Sequence, residues 1–301
     1  MSDSPLIFAN PAPSRLRFSV GAALQATLDA LGANLGPMVV LALIIVGVPN
    51  LLAHLVNANL HYRVAIDPLG RAWGPATFVM LTVNFLTGIL LDAAVTRVVV
   101  TYLNRGRPRI ADSLSSIAQV FLPLLGIALL SGLSMVVGFV VILIPAGFAW
   151  DSLHLTETMG PYAIFLIVPF MFIPVVFLWV LWSVAGPAEV IEGRGVIGSL
   201  RRSYSLTAKH RWATLGVLAT MMLLGLVLSL IGAGLQTLAN MLLIAGGLFG
   251  AGVSVTLTSL VNAVITSISG VFGAAARAAI YSVLRQAKEG VSPQSLASVF
   301  D

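Results

Sequence analysis

The sequence predicts an all-α integral membrane protein, a six-helix transmembrane bundle assembled from three repeated units of an interfacial amphipathic helix plus a helical hairpin. Three observations lead there. Of 301 residues, 58% are hydrophobic and 9% charged, with a mean hydropathy of +1.00, whereas a soluble domain carries about a quarter charged residues to coat its surface. Six runs of low charge reach the roughly 20 residues that cross about 30 Å of hydrocarbon. The basic joints between these runs resemble one another. Such a composition excludes a soluble enzyme and a nucleic-acid binder. The net charge of +5 resides in basic residues that flank the apolar runs, so their counterpart is an anionic membrane surface and no nucleic acid. The absence of cysteine removes disulfides, thiolate metal sites and cysteine nucleophiles.

In chain order, the segment from Met1 to Pro5 has no basic region leading into an apolar core and does not read as a cleavable signal peptide. The first span is the anchor. Spans are predicted at about 36–56, 74–96, 121–145, 161–186, 212–235 and 254–280. Each is continuously apolar, where a barrel strand would alternate, so each is a helix. From Trp212 to Ala276 there are 65 residues without Asp, Glu, Lys or Arg. Three spans fit there by length. The middle piece, 240–252, is short and glycine-rich and is predicted to form a re-entrant or interfacial hairpin. Fourteen basic residues then fall on one side, against Arg63 and Arg71 on the other, which places both termini in the cytoplasm. Trp73 and Trp150 mark the outer interface, and Trp179, Trp182 and Trp212 the inner one.

The joints suggest triplication, with units at 18–104, 108–193 and 196–289. In the first, Leu24, Leu28, Leu31 and Leu35 recur at helical spacing and lead into Gly36. In the second, Ile110, Leu114, Ile117 and Phe121 lead through Leu125 to Gly126, ninety residues later. The third has Ile197, Leu200 and Tyr204 opposite Arg201, Arg202 and Ser205, and reaches Gly216 with four extra residues. Each amphipathic helix is expected to lie flat on the cytoplasmic leaflet before the chain turns into the bilayer.

Three stretches carry a family resemblance: Pro187 to Gly195 (Pro-Ala-Glu-Val-Ile-Glu-Gly-Arg-Gly), Ser199 to Thr207 (Ser-Leu-Arg-Arg-Ser-Tyr-Ser-Leu-Thr), and Leu284 to Gly290 (Leu-Arg-Gln-Ala-Lys-Glu-Gly). Together they resemble the glycerophosphoryl diester phosphodiesterase membrane-domain family of bacterial six-span proteins. The resemblance implies a membrane fold and a bacterial inner-membrane location. Members named for an activity carry a separate catalytic barrel of histidine and carboxylate motifs, which this chain lacks, so no enzymatic activity is implied.

Candidate sites follow from charge in unusual places. The basic girdle of Arg201, Arg202, Lys209, Arg211, Arg105, Arg107 and Arg109 is expected to bind anionic lipids or a membrane protein complex. Arg201 and Arg202 are both expected to point away from the bundle. Asp92 is the carboxylate inside a span, and a charge there is costly enough to mark a functional candidate. It reads as a clamp to Arg277, as a solvated interfacial acid, or as part of a relay. With Asn84, Thr96 and Asn262 it would line a path through the membrane. His54, His61 and His154, with Asp67 and Asp151, lack metal-ligand spacing, and His210 is expected to face headgroups. Small-residue pairs, Gly246 with Gly250 and Ser269 with Gly273, are expected at close helix contacts. No Walker loop, dinucleotide fingerprint or nucleophile elbow occurs, and no cofactor or metal is expected. The reading is a non-enzymatic inner-membrane protein engaging lipids or a partner through its girdle, with a transporter or lipid-handling permease as the alternative.

Overall fold

The computed structural model describes residues 18–61, 74–108, 110–152, 164–246 and 251–290. Among these no strand occurs. Helix α1 (Val20–Ala42) continues through a π-helical turn, Leu43–Gly47, into α2 (Val48–His61). Then follow α3 (Pro75–Leu103), α4 (Ile110–Ser152), α5 (Ile164–Trp182), α6 (Ala185–Glu192), α7 (Gly195–Thr207), α8 (Arg211–Gly246) and α9 (Ala251–Glu289). Six segments are long and apolar enough to cross a membrane: Val20–Val56, Thr77–Leu103, Ile117–Trp150, Phe172–Glu192, Arg211–Leu238 and Ser259–Glu289. Each of the six predicted runs has its helix.

Local sequence explains the irregularities. Pro37 has no N–H and crowds the turn before it, and the backbone leaves helical geometry at Asn34 (φ −129°, ψ 19°). Asn34 Nδ2 donates to the Ala30 carbonyl at 3.1 Å. The π turn precedes Pro49, a second residue without an N–H, and Asn50 Nδ2 donates to the Val46 carbonyl at 2.9 Å. The first two amphipathic segments are thus continuous with their spans, inside α1 and α4. Only the third stands as a separate helix, α7, divided from α8 by a turn at 208–210. The predicted hairpin at 240–252 falls only in part on described residues. Residues 240–246 are the last turns of α8 and 251–252 open α9, while 247–250 lie outside the described residues.

Helix α9 occupies the centre, against α1, α3 and α8. Its buried Val271, Ala274, Ala275 and Ala278 meet Met38 and Leu41 of α1 and Val95, Val98 and Val99 of α3. The run of alanines lets three helices approach one backbone. Helix α4 lies at the rim, with Leu122, Leu129, Leu133 and Val141 exposed as a lipid-facing side requires. Of the small-residue pairs expected at close contacts, Gly250, the partner of Gly246, lies outside the described residues, and Gly273 has only the Arg277 side chain near it, whereas Gly270 faces Leu91 and Gly232 faces Ile265. Gly126 of α4 meets Val196 at the start of α7, and Gly216 of α8 meets Val20 at the start of α1. Those glycines stand ninety residues apart, and each contacts the start of the following amphipathic segment in cyclic order.

The α8–α9 contact yields an expected result. A Cβ at Gly232 would lie 2.5 Å from Ile265 Cδ1 and 2.9 Å from its Cγ2. Because β-branched isoleucine has little rotamer freedom in a helix, it cannot swing aside. Gly232→Ala should therefore destabilise by about 1–3 kcal/mol, although alanine is the better helix former by about 1 kcal/mol. Gly225→Ala, where a Cβ meets nothing within 4 Å, is the control. Thermal unfolding in neutral detergent measures both.

Candidate functional site

The basic end of the bundle is organised around carboxylates. Helix α6 ends on Gly193 (φ 60°), and Gly195 (φ 73°) opens α7. Both lie in the left-handed region that glycine enters without strain, so the chain reverses within three residues. The reversal brings Glu189 and Glu192 against α7. Ser199 Oγ donates to Glu189 Oε2 at 2.6 Å, in a buried bond. Glu192 is a hub: its Oε1 accepts from Arg202 Nε at 2.9 Å and from the Tyr281 hydroxyl at 2.7 Å, and its Oε2 lies 2.5 Å from Arg194 Nε. Arg202 reaches with its Nη2 to Glu289 Oε1, and Arg285 Nε donates to Glu289 Oε2 at 3.0 Å. Lys288 Nζ donates to the Ser205 carbonyl at 2.8 Å. Charge-assisted bonds of this kind tie α6, α7 and the end of α9 together. Burial disfavours the charged form of Arg202, but its bonds to Glu289 and Glu192 outweigh this and raise its pKa above the ordinary arginine value.

Arg202 thus departs from the expectation that it faces lipid or a partner. Its side chain is 11% exposed and saturated by two carboxylates. The cause lies in how α7 is seated. Its buried face consists of Ser199, Leu200, Ser203, Leu206 and Thr207, whose small hydroxyl residues allow close approach and find partners; Ser203 Oγ, for example, donates to the Leu181 carbonyl at 2.6 Å. Ile197 and Tyr204, expected to anchor the helix, are exposed on the same outward face as Arg201.

The remaining girdle residues behave differently. Among the described residues, no carboxylate lies within 4 Å of Arg105, Arg107, Arg201, Lys209 or Arg211; Arg109 lies outside them. Arg105 and Arg107 are exposed in the turn after α3, where Arg105 takes a left-handed φ of 59°. Arg201 and Lys209 are exposed, as is Trp212, at 86%. Arg211 lays its guanidinium over the Phe177 and Tyr204 rings, 5.2 and 5.3 Å from their centroids. His210 packs on Phe18 at 5.3 Å instead of facing outward.

A second polar feature lies inside the bundle. Arg277 Nε and Nη2 donate to Asp92 Oδ1 at 3.0 and 2.8 Å, joining α3 and α9 as a clamp. The pair borders a cavity of about 170 Å³ that includes Trp179, Trp182, Ser183 and Ile127. Gly186 leaves room for the carboxylate, since a Cβ there would stand 2.8 Å from Asp92 Oδ2. Neither asparagine joins them. Asn84 is exposed and donates to its own helix at the Met80 carbonyl, 2.9 Å away. Asn262 meets His54 at 3.1 Å, 15 residues or about 22 Å of helix from Arg277. Thr96 is fully buried on α3. The predicted path of polar residues is therefore not assembled; only Asp92 and Arg277 come together. Among the described residues there is no group of three His, Cys, Asp or Glu that could hold a metal; His154 and Asp67 lie outside them.

With this geometry in view, comparison with known proteins adds one relation. A family model described as "Domain of unknown function (DUF7847)" matches residues 18–284. The chain belongs to this family. No curated protein and no solved structure matches it. The family match carries no link to the phosphodiesterase membrane domains that 187–207 resembles.

Glu189, Glu192 and Tyr281 inside the matched region, and Glu289 just beyond it, organise the basic end, and none was singled out from sequence. One signal was available: Glu189, Glu192 and Glu289 are carboxylates in segments otherwise rich in arginine.

Proposed function

We propose that this is a non-enzymatic multi-pass protein of a bacterial inner membrane, with both termini cytoplasmic, whose basic end engages anionic phospholipids. The observation that carries this reading is the division of the basic residues. Arg194, Arg202, Arg277 and Arg285 are neutralised by carboxylates of the bundle, whereas Arg105, Arg107, Arg201, Lys209 and Arg211 retain uncompensated charge. Arg201, Lys209 and Arg211 share α7, the turn after it and the start of α8 with exposed apolar side chains, Ile197, Tyr204 and Trp212, and that mixture suits the boundary between headgroups and acyl chains. The excess of positive charge at this end supports its cytoplasmic placement, and the resemblance of 187–207 to bacterial membrane domains supports the location.

The test separates free from neutralised arginine. In the variant Arg201→Glu with Lys209→Glu, enrichment of phosphatidylglycerol over phosphatidylcholine among co-purified lipids should fall by at least half. Its melting temperature should stay within about 3 °C of the parent, since exposed charges contribute little to stability. Unchanged enrichment would remove the reading.

A further inference from the structure

The lower halves of α5 and α8 leave a groove of about 430 Å³ on the outside of the bundle. One face of α5 forms its wall: Phe172, Ile173, Val176 and Val180 recur at helical spacing over about 12 Å. Leu215 of α8 lies opposite. Phe172, Ile173 and Val176 are exposed and apolar, so the groove opens sideways to lipid chains. At its basic end stand Arg211 and Trp212.

The electrostatics of that end are unbalanced. Arg211 is the first residue of α8, where the unpaired N–H groups of a helix already present positive charge. A cation there is unfavourable unless an anion joins it. The bundle supplies none, because no carboxylate of the described residues lies within 4 Å of Arg211, and its buried Nε has no hydrogen-bond partner. The Phe177 and Tyr204 rings hold the guanidinium in place, but a ring face satisfies charge less well than an oxyanion. Lys209 adds a second exposed cation two residues away.

We infer that the α5–α8 groove seats one phospholipid of net negative headgroup, its phosphodiester on Arg211 and an acyl chain along Phe172 to Val180. This rests on the anionic-lipid reading above and adds a specific seat to it. An anion without a chain would leave the apolar wall uncovered, and a zwitterionic lipid would bring its own headgroup cation up to Arg211 and Lys209, where a net negative headgroup brings none. Trp212, bordering the groove and almost fully exposed, reports on occupancy.

The test uses the full chain in nanodiscs of phosphatidylcholine doped with phosphatidylglycerol, with native mass spectrometry after delipidation. One phosphatidylglycerol should stay bound after the others are stripped. Arg211→Gln and Val176→Trp, which removes the charge or fills the groove, should each lower its retention about tenfold, the scale of one lost charge-assisted bond. Arg105→Gln with Arg201→Gln should leave that one lipid in place while reducing the total. Brominated-chain phosphatidylglycerol should quench Trp212 more than brominated-chain phosphatidylcholine, by the difference between parent and Trp212→Phe. Equal retention in the parent and either groove variant, or equal quenching by the two lipids, overturns the seat. Overall enrichment of phosphatidylglycerol without a single retained molecule overturns the seat and leaves the broader reading standing. Absence of any enrichment removes both.

Discussion

Replacing Arg202 by methionine should lower stability by about 3 kcal/mol, or roughly 10 °C in melting temperature for a chain of this size. The methionine keeps most of the aliphatic bulk and removes the charge that Glu192 and Glu289 share. Both carboxylates would then face one another across a site where Arg202 is 11% exposed and Glu192 9%. Arg194 and Tyr281 still contact Glu192, and Arg285 still contacts Glu289, so the loss stays below the upper range for a stranded buried charge. Adding Glu192→Gln and Glu289→Gln to Arg202→Met should recover much of it, because removing both sides of a buried pair is far less costly than removing one. Arg201→Met, one residue away on the exposed face, should change nothing measurable. Thermal unfolding of the four proteins in one neutral detergent checks the series; equal melting temperatures for Arg201→Met and Arg202→Met would show that the network does not hold the basic end together.

The contrast between these neighbours shows where the sequence is readable. Lipid as solvent forces continuous apolar runs, so the six spans could be located, although the helices run past the predicted ends by as much as sixteen residues, as at Val20. The Asp92–Arg277 pair was legible for a similar reason. A carboxylate inside a span needs a partner, and Arg277 is the cation at comparable depth on another span. Arg202 was not legible, because the face of α7 was assigned from its large apolar residues. The buried face is instead set by Ser199, Ser203 and Thr207, spaced four apart, whose small size permits close packing. Hydropathy scores them as polar. The hub at Glu192 was hidden for a topological reason, since Tyr281 and Glu289 lie some ninety residues further along the chain. Gly126 and Gly216, ninety residues apart, meet Val196 and Val20, but Gly36, the third at this spacing, has nothing within 4 Å, so the contacts do not establish the triplication.

The second large effect is expected at Asp92 and Arg277, where one-sided and two-sided replacement should differ in outcome. Arg277→Leu leaves a carboxylate among Ile89, Leu124, Ile127 and two tryptophans. Its side chain is 18% exposed in the pair, so partial hydration through the cavity limits the loss to about 2–3 kcal/mol, against the larger values for a fully enclosed charge. Asp92→Leu strands Arg277 instead, but that side chain is 32% exposed and long enough to reach toward the basic end, so the loss should be smaller. Combining Asp92→Leu with Arg277→Leu should return stability to within about 1 kcal/mol of the parent, since apolar residues can replace an ion pair between packed helices. Melting temperatures of the three variants give the coupling energy directly. A double variant as unstable as Arg277→Leu would mean that the two residues do not act as a pair. A stable double variant that retains full enrichment of anionic lipid would place the clamp in the architecture of the bundle and leave lipid engagement to the uncompensated cations at its basic end.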